Sequence, residues 1–280
     1  MSSHRPPVRA GARPRKGWWR LGLGLALTPS AVAIAASAVP RVHVSPDWAN
    51  VIAFAGATSF PIIGLSLAAM AEVTLAFALG LAACAAALLL ALVVRQPSPF
   101  ATMVLVDSAL VGLAWALGSS LGRRVQHASH LFPACVVAAS ADLVSLLSPE
   151  GPSHAIAESE RALSVLATWF PVPGSSALAP ALGVGDLLFM AFAFGVARAH
   201  ALPYARCVIA CAIGTALAGA AAAWSGLAIP ALLPIAAVLV LALPTIWQLR
   251  LHDRKAAHWS MLIASSLALA TVVRMLLSRH

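Results

Sequence analysis

Charge is what this chain has least of. Only 10% of its 280 residues are Asp, Glu, Lys or Arg, against 61% hydrophobic, and the mean hydropathy is +0.90. A soluble domain does not tolerate so little polarity, so the composition points to a polytopic membrane protein. Strict alternation of apolar and polar residues is also missing. The apolar runs are continuous and rich in Ala and Gly, which argues for closely packed helices and against a β-barrel. Cysteine is sparse, and Cys84, Cys135, Cys207 and Cys211 all fall within apolar stretches. That placement gives neither a disulfide framework nor a zinc site, and Cys207 and Cys211, one helical turn apart, read as packing residues. His127, His130 and His154 lack ligand spacing and read as interfacial, so neither a metal nor a cofactor is expected.

Sliding a window of about 20 residues along the chain gives about nine candidate spans, near 20–40, 47–67, 71–94, 99–121, 128–148, 178–198, 204–225, 228–249 and 258–278. The expected fold class is therefore an all-α transmembrane bundle. Trp18, Trp19, Trp48, Trp169, Trp247 and Trp259 fall near span ends, as an interfacial belt requires.

The formal net charge of +9 raises the question of nucleic acid, and the distribution of the charge answers it. Arg5, Arg9, Arg13, Arg15, Lys16 and Arg20 precede or open the first span, in a Pro-rich tail. The positive-inside rule puts that tail in the cytoplasm. Counting spans from there, Arg123, Arg124, Arg198, Arg206, Arg250, Arg254 and Lys255 fall on the same side. Arg41, Arg95, Arg161, Arg274 and Arg279 fall opposite. Such a tail orients the protein and touches anionic lipid, and no nucleic-acid partner is expected. The localisation that follows is a plasma (inner) membrane with a cytoplasmic N-terminus. The basic start, the apolar run from Leu21 and the triplet Ala36-Ser37-Ala38 also fit a cleaved signal peptide, whose removal would not invert the remainder.

Against this background two aspartates stand alone in apolar sequence, Asp142 in AASADLVSLL and Asp186 in GVGDLLFMAF. A carboxylate at mid-bilayer costs roughly 2.5–3.5 kcal/mol on an insertion scale, so an intramembrane acid is a functional candidate by default. Asp142 lies shortly before the helix-ending Ser148-Pro149, and Asp186 follows a helix start expected near Leu178. At 1.5 Å per residue, each sits roughly 10–12 Å below one membrane face. The polar segment joining them, 149–177, with Glu150, Glu158 and Glu160, reads as an extramembrane loop carrying a short amphipathic helix over AIAESERALSVL. Gly183 and Gly185 remove bulk beside Asp186 and admit a close backbone approach. Pro230 and Pro234 leave amide-poor backbone at the same face, tolerated only where it lines a cavity or is covered by protein.

Asp142, then Gly183-Val184-Gly185-Asp186, then Pro230-Ala231-Leu232 resembles the motif order of presenilin and signal peptide peptidase, the GxGD intramembrane aspartyl proteases. The resemblance covers about residues 130–250. It is nearest to presenilin in Asp142-Leu143-Val144, Ser148-Pro149-Glu150-Gly151-Pro152 and Phe170-Pro171. Together with the candidate spans and the charge distribution it divides the chain into four regions: a basic cytoplasmic tail over 1–19, N-terminal transmembrane helices over 20–122, a presenilin-like catalytic core over 123–250 and an extra C-terminal transmembrane helix over 251–280. The family usually has tyrosine before its first aspartate, where this chain has Ala141. Presenilin has five helices before the aspartate pair and ends at the Pro-Ala-Leu helix; here four precede it and one follows. With a cytoplasmic N-terminus the catalytic loop faces outward, the signal-peptide-peptidase sense. The segment between the aspartates is too short for presenilin's self-cleaved loop.

The resemblance implies peptide hydrolysis in the bilayer, on a transmembrane protein or peptide substrate. Two adjacent carboxyls cannot both ionise cheaply, so Asp142 and Asp186 would share one proton as a coupled dyad. One would activate water and the other would donate to the scissile carbonyl. Gly183 and Gly185 would complete the motif, and the backbone around Pro230, Ala231 and Leu232 would hold the unwound substrate as an added strand. Asp107, a third acid in apolar sequence, reads as a structural hydrogen-bonding group, and Glu72 at a span edge as a snorkelling one. Two alternatives stay open. A proton- or cation-coupled transporter would use Asp107, Asp142 and Asp186, although the inverted repeats common in transporters are not found. A catalytically silent relative would keep the fold and bind without cutting.

Overall fold

The computed structural model describes residues 17–38, 45–95, 99–148, 151–175, 178–225, 230–248 and 251–277. Arg5, Arg9, Arg13, Arg15, Lys16, Arg41, Pro149, Glu150, Arg250 and Arg279 lie outside the described residues.

Leu- and Ala-rich runs form α1 (Trp18–Ala38), α2 (Pro46–Ala69) and α3 (Leu75–Arg95). Next, α4 (Pro99–Ala114) widens into a π turn at Trp115–Ser119 before ending as α5 (Ser120–Gly122). A 3₁₀ turn at Ala128–His130 leads into α6 (Leu131–Leu147), which carries Asp142. Two short helices follow, α7 (Pro152–Glu158) and α8 (Glu160–Leu166), then the strands β1 (Ala167–Pro171) and β2 (Leu178–Gly183). The chain finishes with α9 (Val184–Ala199), α10 (Tyr204–Ser225), α11 (Leu232–Ala242), a 3₁₀ turn at Pro244–Trp247 and α12 (Leu251–Leu277).

This is a helical integral membrane protein. Among the described residues, five helical stretches are long and apolar enough to cross a bilayer: Trp48–Ala69, Leu75–Val94, Thr102–Gly122, Ala128–Leu147 and Tyr204–Trp224. Nine such stretches are not reached. The span expected over 178–198 is shortened because 178–183 is strand and the helix begins only at Val184. The one expected over 228–249 has an apolar helix of only 11 residues, α11, because the chain turns into 3₁₀ at Pro244.

Small residues set the helix spacing. A β-carbon on Gly24 of α1 would meet the backbone at Gly64 and Ala68 of α2, and one on Gly64 would meet the Gly24 carbonyl. In the same way Gly118 and Gly122 face the backbone of α9 at Leu188, Phe192 and Val196, and Gly195 of α9 faces Ser119. Such contacts let backbones approach closely, which is how helices associate where lipid removes the hydrophobic drive.

The hairpin is the main departure from the expected loop over 149–177. Its strands pair antiparallel, with Trp169 opposite Pro180, Phe170 opposite Ala179 and Pro171 opposite Leu178, and a register shift between Ala167 and Trp169. At the shift the Thr168 hydroxyl accepts from Leu182 N–H (3.2 Å) and lies 3.4 Å from the Leu182 carbonyl. The strand β1 is inside the bundle: Ala167, Thr168, Phe170 and Pro171 are buried. Phe170 stacks on Phe60 of α2, with centroids 6.0 Å apart, and fills the space over Gly56. Extended backbone at this depth is tolerable because protein covers it and satisfies it. Part of that satisfaction comes from α4, where Asp107, only 1% exposed, accepts from Trp169 N–H at 2.9 Å. Asp107 thus has the structural hydrogen-bonding place expected of it.

One end of the bundle collects the starts of α1, α3 and α10 and the ends of α2, α5 and α9. Arg123 donates to the carbonyls of Ala69 and Ala71, Tyr204 to that of Ser66, and His200 Nε2 lies 2.8 Å from the Val125 carbonyl. The hairpin lies deep to the other end, where Arg161 of α8 donates to the Val93 carbonyl.

Candidate active site

Asp142 and Asp186 line one cavity of about 350 Å³, and their carboxyls are close enough to interact electrostatically. Asp186 gets there through the hairpin. Strand β2 runs six residues and stops at Gly183, which is extended (φ −75°, ψ 160°), and α9 starts at the next residue. Asp186 is then the third helical residue, and its Oδ2 accepts from Gly183 N–H at 3.0 Å. This is the acid's half of a capping box; glycine has no side chain with which to return the other half. The expectation that Asp186 lies two turns into a helix is therefore corrected. It lies in the first turn, and its depth comes from a strand that advances about 3.3 Å per residue.

Asp142 reaches the cavity from α6. Its Oδ2 accepts from the backbone N–H of Leu232 at 3.2 Å. Leu232 opens α11, so its N–H has no partner within its own helix, and the prolines on either side, Pro230 and Pro234, contribute no N–H at all. The Asp142 carboxyl supplies the missing acceptor across the helix boundary. Each aspartate thus spends Oδ2 on backbone, and Oδ1 of each has no hydrogen bond among the described residues. Both sit beside a helix N-terminus, where the aligned peptide dipoles favour negative charge.

The structure brings together all three sequence-predicted elements. Gly183, Gly185, Pro230 and Ala231 line the cavity with the two aspartates, and Leu232 touches Asp142 through its N–H. Gly185 is exposed, and a β-carbon there would meet nothing within 4 Å. Asp107 does not line this cavity; it acts on the far strand of the hairpin.

The linker also supplies walls that no motif in the sequence marks. Ser153 and Ile156 of α7 and Leu163 and Leu166 of α8 line the cavity. The amphipathic segment AIAESERALSVL is two helices because Ser159 turns extended and caps α8, its hydroxyl accepting from Ala162 N–H at 3.2 Å. Helix α7 is fastened to the aspartate helix by Ser145, whose hydroxyl bonds both the hydroxyl and the N–H of Ser153 at 2.8 Å. The periodicity of that segment was the available signal. Ala141, by contrast, points away from the dyad. It lines a separate apolar cavity of about 810 Å³ between α6 and α12, with Val144, Ile263 and Leu267.

Among the described residues, no group of three or more His, Cys, Asp or Glu side chains is gathered as a metal site requires. No family model, curated protein or solved structure matches the chain.

Proposed function

We propose that this protein is an intramembrane aspartyl endopeptidase related to presenilin and signal peptide peptidase, with residues 123–250 as its catalytic core. The observation that carries the proposal is the shared cavity. Two carboxyls from distant helices meet there, each tethered by one oxygen and open at the other, beside backbone that is not helical. A water held between the two Oδ1 atoms would be activated by the ionised aspartate, while the protonated partner donates to the scissile carbonyl. A helical substrate must unwind before cleavage, because its own turns shield its peptide bonds. The strand β2 offers extended backbone for the unwound segment, with the turn at Pro230-Ala231 beside it. In this reading the N-terminus is cytoplasmic and the aspartate cavity opens toward the opposite face.

The test is incubation of the purified protein, in detergent or lipid, with a labelled single-span peptide across pH 4–8. Wild type is expected to cleave with a bell-shaped pH dependence. Asp142→Ala and Asp186→Ala, each still folded, are expected to lose cleavage, and a transition-state mimic of aspartyl proteases is expected to inhibit wild type. Intact peptide in every lane would overturn the proposal.

A further inference from the structure

The end of the bundle opposite the hairpin holds a second polar cavity, of about 230 Å³, lined by Met70, Glu72, Arg123 and Arg198. Arg123 follows the last residue of α5, Arg198 lies in the last turn of α9, and Glu72 sits in the turn between α2 and α3. A third guanidinium, that of Arg20 at the start of α1, reaches the same turn, its Nη1 lying 3.8 Å from the Met70 sulfur. Two guanidinium groups and one carboxylate thus line the cavity, and a third guanidinium lies against the Met70 side chain at its edge.

They are not equally engaged. Arg123 spends Nη2 on the carbonyls of Ala69 and Ala71, which closes the end of α2. Arg198 is exposed and makes no hydrogen bond or ion pair within 4 Å among the described residues. It lies close enough to Arg123 for the two like charges to repel, with Glu72 offsetting only part of that repulsion. Arg123 directly follows the apolar stretch Thr102–Gly122, and a bridging anion at this helix end would remove the repulsion. Guanidinium groups match a phosphate in both charge and fork geometry.

We propose that this cavity is a binding site for the phosphate headgroup of an anionic phospholipid, held among Arg20, Arg123 and Arg198. Basic pockets between transmembrane helices take such headgroups, and each basic residue near the surface contributes about fivefold in affinity. The site depends on membrane insertion and not on the protease proposal. A lipid here would bridge α1, α5 and α9, and α9 carries Asp186 at its other end.

The test is native mass spectrometry and thermal unfolding of the full chain in mild detergent, titrated with phosphatidylglycerol, with phosphatidylcholine, or with inorganic phosphate alone. Expected are retained phosphatidylglycerol adducts and stabilisation that phosphatidylcholine does not give. R198Q should weaken the preference about fivefold, E72Q should strengthen it, and R206Q, an exposed arginine outside the cavity, should leave it unchanged. Equal effects of the two lipids, or equal losses in R198Q and R206Q, would overturn the site. Stabilisation by inorganic phosphate matching that by phosphatidylglycerol would show a free-anion site and overturn the lipid assignment.

Discussion

Removing the Asp107 carboxyl should loosen the hairpin that delivers Asp186. Asp107 is 1% exposed, and its Oδ1 is the partner of Trp169 N–H in a strand whose neighbours Thr168 and Phe170 are buried. Asp107→Ala leaves that N–H, on a half-buried strand residue, without its acceptor. An orphaned buried donor costs about 1–3 kcal/mol. Asp107→Asn keeps an amide oxygen at the same position, and its NH2 replaces an Oδ2 that itself has no partner among the described residues, so no made bond is lost there. Its cost should stay below about 1 kcal/mol, within the net value of a neutral hydrogen bond. Reversible unfolding in mixed micelles measures both, and the peptide assay run alongside reads the consequence for β2 and the dyad. Asp107→Ala is expected to lose stability and part of its cleavage; Asp107→Asn is expected to keep most of both. Unchanged unfolding in Asp107→Ala would refute the anchoring role. A folded Asp107→Asn that lost all function would favour a relay of three acids, as a proton- or cation-coupled transporter requires.

Gly122→Leu should disrupt the contact of α5 with α9, since a β-carbon at Gly122 already meets the Phe192 carbonyl and the Val196 amide. Overpacking of this kind costs about 1–3 kcal/mol, to be measured by the same unfolding assay; Gly112→Ala, where a β-carbon meets nothing within 4 Å, is the control. Gly185→Ala should fold as wild type does, because a β-carbon there is unopposed. The added methyl group enters the aspartate cavity, so cleavage should fall through a raised KM for peptide, and an unchanged KM would show that Gly185 does not border the substrate.

The residues legible in sequence were the exceptions to it. Asp142, Gly183, Gly185, Asp186, Pro230 and Pro234 interrupt long apolar runs, and span parity was enough to send them to one face. The hairpin was not legible. Thr168-Trp169-Phe170-Pro171 and Leu178-Ala179-Pro180-Ala181-Leu182 are short apolar runs, and periodicity does not separate a buried strand from a buried helix at that length. What decides them is distant in sequence: Asp107 of α4 takes the Trp169 N–H, and Gly56 of α2 leaves room for the Phe170 ring. The close-packing glycines were hidden for the opposite reason. In a chain this rich in Ala and Gly, a pair such as Gly118 and Gly122 occurs readily, and only the position of α9 distinguishes it. The arginine cavity is half visible in sequence, since span parity sends Arg20, Arg123 and Arg198 to one side but does not bring them together.

The shortened helices and the site have a common cause. A helix continued through residues 178–186 would place Asp186 on an internal turn, where Gly183 N–H is already committed to a carbonyl four residues earlier. Ending the regular backbone at Gly183, and beginning α11 only at Leu232, creates the two unpaired N–H groups that Asp142 and Asp186 accept. The same interruption lets both carboxyls sit at helix N-termini without adding a cationic side chain to the cavity lining. A membrane protein that needed only stability would gain by continuing both helices and replacing both acids with leucine. The interrupted backbone and the acids are retained together, and this combination suits a site that must hold a carboxyl pair beside extended chain.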